Sequence, residues 1–65
     1  MVDFANYLYQ TRVNEGVFIS QTKLAKLSGY TQTYISLIET SRVNPSIRCK
    51  KDLRRALRRY INKHT

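Results

Sequence analysis

Cations and hydrogen-bonding side chains are the groups through which this 65-residue sequence could do chemistry. It holds one cysteine, one histidine and four acidic residues against twelve lysines and arginines. So few thiol, imidazole and carboxylate groups offer no nucleophile–base pair, and two glycines make no phosphate-binding loop. We therefore expect no enzyme activity, no metal site, no cofactor and no small-molecule substrate. The chemistry that this sequence favours is binding.

The excess positive charge is concentrated in the C-terminal part of the sequence. Residues 1–40 carry three cations and three acids, whereas residues 41–65 carry nine cations and one acid. Such an asymmetry indicates a polyanionic partner, either a nucleic acid or an acidic membrane surface. The charge does not distinguish the two partners, and a run of cations is at least as often a solvated helix face.

The length predicts a single domain over residues 1–65, with a core that is marginal in size. No apolar run reaches the about 18 residues of a membrane-spanning helix. The first ten residues lack the basic start and apolar segment of a signal peptide. The lone Cys49 excludes a disulfide within the chain. We expect a cytoplasmic protein that makes no membrane contact.

The spacing of apolar residues predicts an all-α fold. A first helix is expected at about residues 3–15, with Asp3 as its N-cap and Gly16 at its end. A last helix is expected to begin at Asn44–Pro45, because proline suits the first helical position, and to run to about Asn62. Its apolar residues share one arc, and most of its cations lie on the remaining surface.

Two short helices are predicted between these two. Ser20 and Thr31 are suitable N-caps for them, and Gly29 can adopt the positive φ that ends the first of the pair. The small Ala25 allows the two helices to cross closely at a steep angle. The apolar stripes are Leu24, Ala25 and Leu27 on the first helix, and Ile35 and Ile38 on the second.

Residues 20–39, SQTKLAKLSGYTQTYISLIE, resemble the Cro/repressor-type helix-turn-helix family. The matching residues are Ser20-Gln21, Leu24-Ala25, Gly29, Thr31, Ile35-Ser36 and Ile38-Glu39. The resemblance covers roughly residues 8–57 and implies a compact four- to five-helix repressor-like DNA-binding domain. Two differences from the family pattern are Thr40–Ser41, where members usually have a pair ending in glycine, and a basic helix that continues past Leu57.

The resemblance implies that the third helix enters the major groove of duplex DNA. Gln32 is then the main base-reading candidate, because its amide can pair with N7 and N6 of adenine, worth about 1–3 kcal/mol of discrimination. Leu37 suits either a thymine methyl group or a seam between subunits, and Tyr34 either a phosphate or packing against the second helix. The base-reading candidates are Gln32, Thr33, Ser36 and Leu37, and the candidates for backbone contacts are Gln21, Thr31, Tyr34, Thr40, Arg42 and Asn44.

Glu39 ends the third helix, where a carboxylate opposes the helix dipole and so requires a partner. By the resemblance, Arg12 is that partner, in a partly buried ion pair that fixes the third helix against the first. Gln21 could also brace Gln32 through its side chain.

A single recognition helix reads only a few base pairs, so we expect a homodimer on a palindromic site. The sequence thus predicts a Cro-like repressor, with Tyr60, Ile61 and the loop around Val43 as candidates for the dimer contact. Two alternatives stay open at this point. One is an antitoxin or similar small regulator that also binds a protein, and the other is a nonspecific cationic binder of nucleic acid or membrane surfaces.

Overall fold

The computed structural model describes residues 3–14 and 17–64. They form four α-helices, which we label α1 (Phe4–Asn14), α2 (Gln21–Ser28), α3 (Gln32–Glu39) and α4 (Ile47–His64). These ranges contain no β-strand, and the prediction of an all-α fold is confirmed. None of the four helices combines the length and the apolar character that crossing a membrane requires.

Side-chain caps explain where the first three helices begin. In each case an oxygen just ahead of the helix accepts a hydrogen bond from the backbone N–H three residues later, which satisfies one of the free amides of the first turn. The pairs are Asp3 Oδ1 with Asn6 (2.8 Å), Ser20 Oγ with Lys23 (3.0 Å) and Thr31 Oγ1 with Tyr34 (3.1 Å). All three caps agree with the sequence prediction.

The predicted start of α4 at Asn44–Pro45 is wrong. The helix begins at Ile47, and Ser46 caps it by accepting the N–H of Cys49 at 3.1 Å. Pro45 is buried ahead of the helix, so tertiary packing uses its ring in the loop and not in the first turn. At the other end α4 continues to His64, two residues beyond the predicted limit. Gly16, the predicted end of the first helix, lies outside the described residues.

The four helices pack around one apolar core. Helix α3 packs against α1 and α2, and α4 packs against the same two helices, while α3 and α4 meet across the core, where Tyr34 lies beside Cys49. In a cross-section through the four helices, α3 and α4 therefore lie diagonally opposite each other. The buried apolar residues are Leu8, Ile19, Leu24, Ala25, Ile35, Ile38, Cys49, Leu53, Ala56 and Leu57.

Leu27 was predicted in the apolar stripe of the second helix, and this placement is wrong. Its side chain is 43% exposed and lines an open cleft between α2 and α4. At about 100° per residue, Leu27 lies about 110° from the direction midway between Leu24 and Ala25, which are the buried residues of α2. The stripe of this short helix is therefore narrower than its composition indicates.

Candidate nucleic-acid interface

Gly29 and Thr31 make the turn between α2 and α3. Gly29 has φ 83°, and its N–H donates to the carbonyl of Ala25 at 2.9 Å, which closes α2. A Cβ added at Gly29 would meet nothing within 4 Å, so the left-handed backbone favours glycine here and crowding does not. Thr31 returns to an extended conformation and caps α3. The two helices are thus joined by three residues of fixed geometry.

Helix α3 presents polar side chains to solvent. Ile35 and Ile38 are buried against the core, and the opposite side of the helix is open. Of the outward-facing residues, Gln32, Thr33 and Thr40 are exposed, whereas Ser36 and Leu37 are half-buried. The four predicted base-reading residues therefore lie on one helix, with the two at its start the more accessible.

The amides of Gln21 and Gln32 hold each other at the N-terminal ends of α2 and α3. Gln32 Nε2 donates to Gln21 Oε1 at 2.7 Å. A glutamine amide has two N–H donors and one carbonyl acceptor, so this bond leaves Gln32 with one free N–H and its oxygen. The major-groove edge of adenine requires that combination of donor and acceptor.

On its interior side, Gln21 is held by a buried ion pair. Its Nε2 donates to Glu39 Oε1 at 3.0 Å. Arg12 grips the same carboxylate with two hydrogen bonds, Nε to Oε2 at 2.8 Å and Nη2 to Oε1 at 2.9 Å. The two charged side chains are 7% and 6% exposed, and Arg12 also donates to the carbonyl of Ile19 at 2.9 Å. A continuous chain of hydrogen bonds thus runs from α1 to the surface of α3.

The hydroxyl groups of Thr31 and Thr40 differ in whether their O–H is available to donate to a phosphate. The oxygen of Thr31 accepts a backbone N–H as the cap, which leaves its O–H available as a donor. Thr40, by contrast, donates its O–H to the carbonyls of Ser36 and Leu37, at 3.0 and 3.3 Å. A phosphate contact at Thr40 requires its hydroxyl to rotate away from the helix.

The end of α3 carries a left-handed serine. Ser41 has φ 61° and donates its N–H to the carbonyl of Ile38 at 3.0 Å, while the N–H of Arg42 reaches the carbonyl of Leu37 at 2.8 Å. These two bonds form a Schellman motif, in which glycine is the preferred residue at the left-handed position. The motif fixes the path of the following loop, where Arg42 and Asn44 are both exposed.

Tyr34 is half-buried and packs against the core and against Tyr30, with ring centroids 5.6 Å apart. The Tyr30 hydroxyl donates to Asp52 of α4 at 2.9 Å. This hydrogen bond to a carboxylate raises the pKa of Tyr30 above its usual value. The sequence does not predict this link, because Tyr30 and Asp52 are 22 residues apart and no local pattern relates them.

Comparison with known proteins agrees with this geometry. A family model described as Helix-turn-helix matches residues 19–48, which contain α2, α3 and the start of α4. The chain therefore carries a helix-turn-helix of the Cro/repressor type, the DNA-binding element of a class of regulators. The match is narrower than the roughly 50 residues over which the sequence resembles that family. No curated protein and no solved structure matches the chain.

Proposed function

We propose that this protein is a sequence-specific transcriptional regulator, a Cro-like repressor that binds a palindromic operator in duplex DNA as a homodimer. Helix α3 enters the major groove, and the described helices act as one DNA-binding domain. Gln32, Thr33, Ser36 and Leu37 face the bases in this proposal. The backbone contacts come from Gln21, Thr31, Tyr34, Thr40, Arg42 and Asn44.

The observation that carries the proposal is the oriented amide of Gln32. An exposed glutamine that rotates freely loses side-chain entropy when it binds a base. Here Gln21 already holds the amide, and Gln32 is exposed to solvent at the start of α3. A side chain held in one orientation discriminates between bases at a smaller entropic cost, as a reader of adenine should.

The size of the molecule supports the proposed pairing of subunits. Half-sites one helical turn apart have centres about 34–36 Å apart. The described residues extend 31 Å in their longest direction, so two copies side by side match that spacing. Ile47, at the start of α4 and close in sequence to Val43, is 74% exposed, an unusual position for a large apolar residue. We include it with Val43, Tyr60 and Ile61 as a candidate for the contact between subunits.

Selection from a random duplex library tests the proposal. We expect the wild-type protein to enrich a two-fold symmetric motif with adenine at a fixed position of each half-site. Gln32→Ala should lose the preference at that position, with a penalty of about 1–3 kcal/mol for the preferred duplex. Asn62→Ala, which changes an exposed amide near the end of α4, is the matched control and should select the unchanged motif.

Two outcomes of the selection would contradict the proposal. A motif that Gln32→Ala leaves unchanged would remove Gln32 as a reader. A library with no enriched motif would favour nonspecific cationic binding instead. The membrane-surface alternative requires an apolar helix face that can enter the lipid, but the apolar stripe of α4 is buried in the core at Cys49, Leu53, Ala56 and Leu57.

A further inference from the structure

The outward side of α4 carries a compact group of cations. Lys51, Arg55, Arg58 and Arg59, which we call the basic face, are all exposed. At about 100° per residue they lie within about 60° of the direction opposite the buried Leu53. From Lys51 to Arg59 the face extends about 12 Å along the helix, at about 1.5 Å per residue.

Within residues 3–14 and 17–64, these four cations have no charged partner. Among the described residues the one ion pair joins Arg12 to Glu39. The single acid of α4, Asp52, accepts the hydroxyl of Tyr30. Two other cations of α4 do have intramolecular contacts, because Lys50 and Arg54 lie over the ring of Phe4 at 5.7 and 5.5 Å. The basic face is therefore the part of α4 whose charges repel one another and attract an external polyanion.

The basic face lies away from the proposed DNA contact of α3. Helices α3 and α4 lie across the core from each other, with α1 on one side and α2 on the other. The buried stripe of α4 faces that interior, so the opposite side of the helix points outward from it. A duplex in contact with α3 is consequently on the other side of the protein. Solvent screening over about 8 Å at physiological salt weakens any remaining attraction through water.

We propose that the basic face binds the phosphate backbone of a second DNA duplex without regard to sequence, so that the protein bridges two duplexes. Three of its four cations are arginines, whose planar guanidinium groups bind phosphate oxygens in pairs. A duplex presents one charge per about 1.7 Å, or about seven charges along the 12 Å of this face. A lipid surface is a poorer fit, because the apolar stripe of α4 is buried and cannot anchor it.

Co-capture of two duplexes tests this proposal. One random-sequence duplex is immobilised and saturated with protein, and retention of a second, fluorescent duplex is then measured against salt concentration. We expect Arg55→Gln/Arg58→Gln to bind the first duplex but to retain the second on the order of 100-fold less at about 50 mM salt, because each phosphate contact releases about 0.9 of a counterion. Circular dichroism checks that the variant is folded.

The control removes the same charge elsewhere. Lys26→Gln/Lys63→Gln changes two exposed lysines outside the basic face and should retain the second duplex as the wild type does. Equal losses in both variants would show an effect of net charge alone and overturn the proposal. Full co-capture by the Arg55/Arg58 variant would do the same, since bridging would then come from two α3 helices of a dimer.

Two further readouts separate this proposal from its alternatives. If the Arg55/Arg58 variant loses binding to phosphatidylserine vesicles but keeps full co-capture of the second duplex, the face serves a lipid surface and the proposal is wrong. The motif selected by that variant from a random library should equal the wild-type motif. Loss of the motif in Gln32→Ala, with co-capture intact, would leave this inference standing whatever becomes of the operator.

Discussion

Replacing Arg12 with methionine should destabilise the protein by about 3–5 kcal/mol. The Glu39 side chain is 6% exposed in the native fold, and the substitution leaves the amide of Gln21 as its remaining partner. Removing one member of a buried ion pair costs about this much, because the other charge stays desolvated and unpaired. At about 0.05–0.15 kcal/mol per residue, a chain of this length has about 3–10 kcal/mol of stability in all. The loss is therefore about a third of that stability or more, and Arg12→Met should unfold at a much lower urea concentration than the wild type.

Urea unfolding followed by circular dichroism measures this cost. The comparison needs Arg12→Met, Glu39→Gln and the double variant. We expect the double variant to cost less than the sum of the single variants, by about 1–3 kcal/mol, because the second substitution removes the charge that the first leaves unpaired. Arg58→Met, at an exposed site with no ion pair, is the matched control and should change stability by no more than about 0.5 kcal/mol.

Small, additive losses of stability would show that the ion pair between Arg12 and Glu39 does not hold the fold together. If both single variants cost less than about 1 kcal/mol, the pair contributes no more than an ion pair in open solvent. Strict additivity in the double variant would mean that Arg12 and Glu39 contribute independently, in spite of the two hydrogen bonds between them.

Three further predictions follow from single features of the fold. Ser41→Gly should relieve the left-handed strain at φ 61° and stabilise the protein by about 1 kcal/mol, which raises Tm by about 4–8 °C. Gly29→Ala, at φ 83°, should lower Tm. Equal Tm values for Ser41→Gly and wild type would contradict this. The pKa of Tyr30 is raised in the folded state by its bond to Asp52, so the contribution of this bond to stability is complete below the unfolded pKa of about 10 and falls as pH rises from there towards the folded pKa. The Tm difference between wild type and Tyr30→Phe should therefore shrink between about pH 9 and pH 11. A Tm difference that stays constant over that range would remove this contribution. Ile47→Asp should abolish self-association in sedimentation equilibrium while the circular dichroism spectrum stays that of the folded protein, and an unchanged association constant would exclude Ile47 from the contact between subunits.

The beginnings of three helices could be predicted because they depend on local chemistry. A capping oxygen and the amide it binds are three residues apart, so residue type alone predicts Asp3, Ser20 and Thr31 as N-caps. The same rule failed at α4, where Asn44 and Ser46 are both suitable caps. The choice of Ser46 goes with the burial of Pro45 in the loop, which is a matter of tertiary packing.

The candidate site depends on contacts that a local rule cannot supply. Arg12 and Glu39 are 27 residues apart, and it was the resemblance to a known family, not spacing, that related them. Neither spacing nor the family resemblance relates Tyr30 to Asp52, so the hydrogen bond between them was not predicted. Periodicity likewise predicts the centre of the buried stripe of α2 but not its limits. Whether Leu27 is buried depends on which residues of other helices pack against α2.

The hydrogen-bond chain behind α3 has a fixed polarity. A carboxylate accepts and cannot donate, so Glu39 obliges the Gln21 amide to turn its nitrogen inward and its oxygen outward. That oxygen in turn obliges Gln32 to offer its nitrogen. Exchanging Glu39 for glutamine would abolish this asymmetry, since every member of the chain could then face either way. The buried ion pair of Arg12 and Glu39 therefore determines which atoms of the Gln32 amide remain as donor and acceptor at the surface.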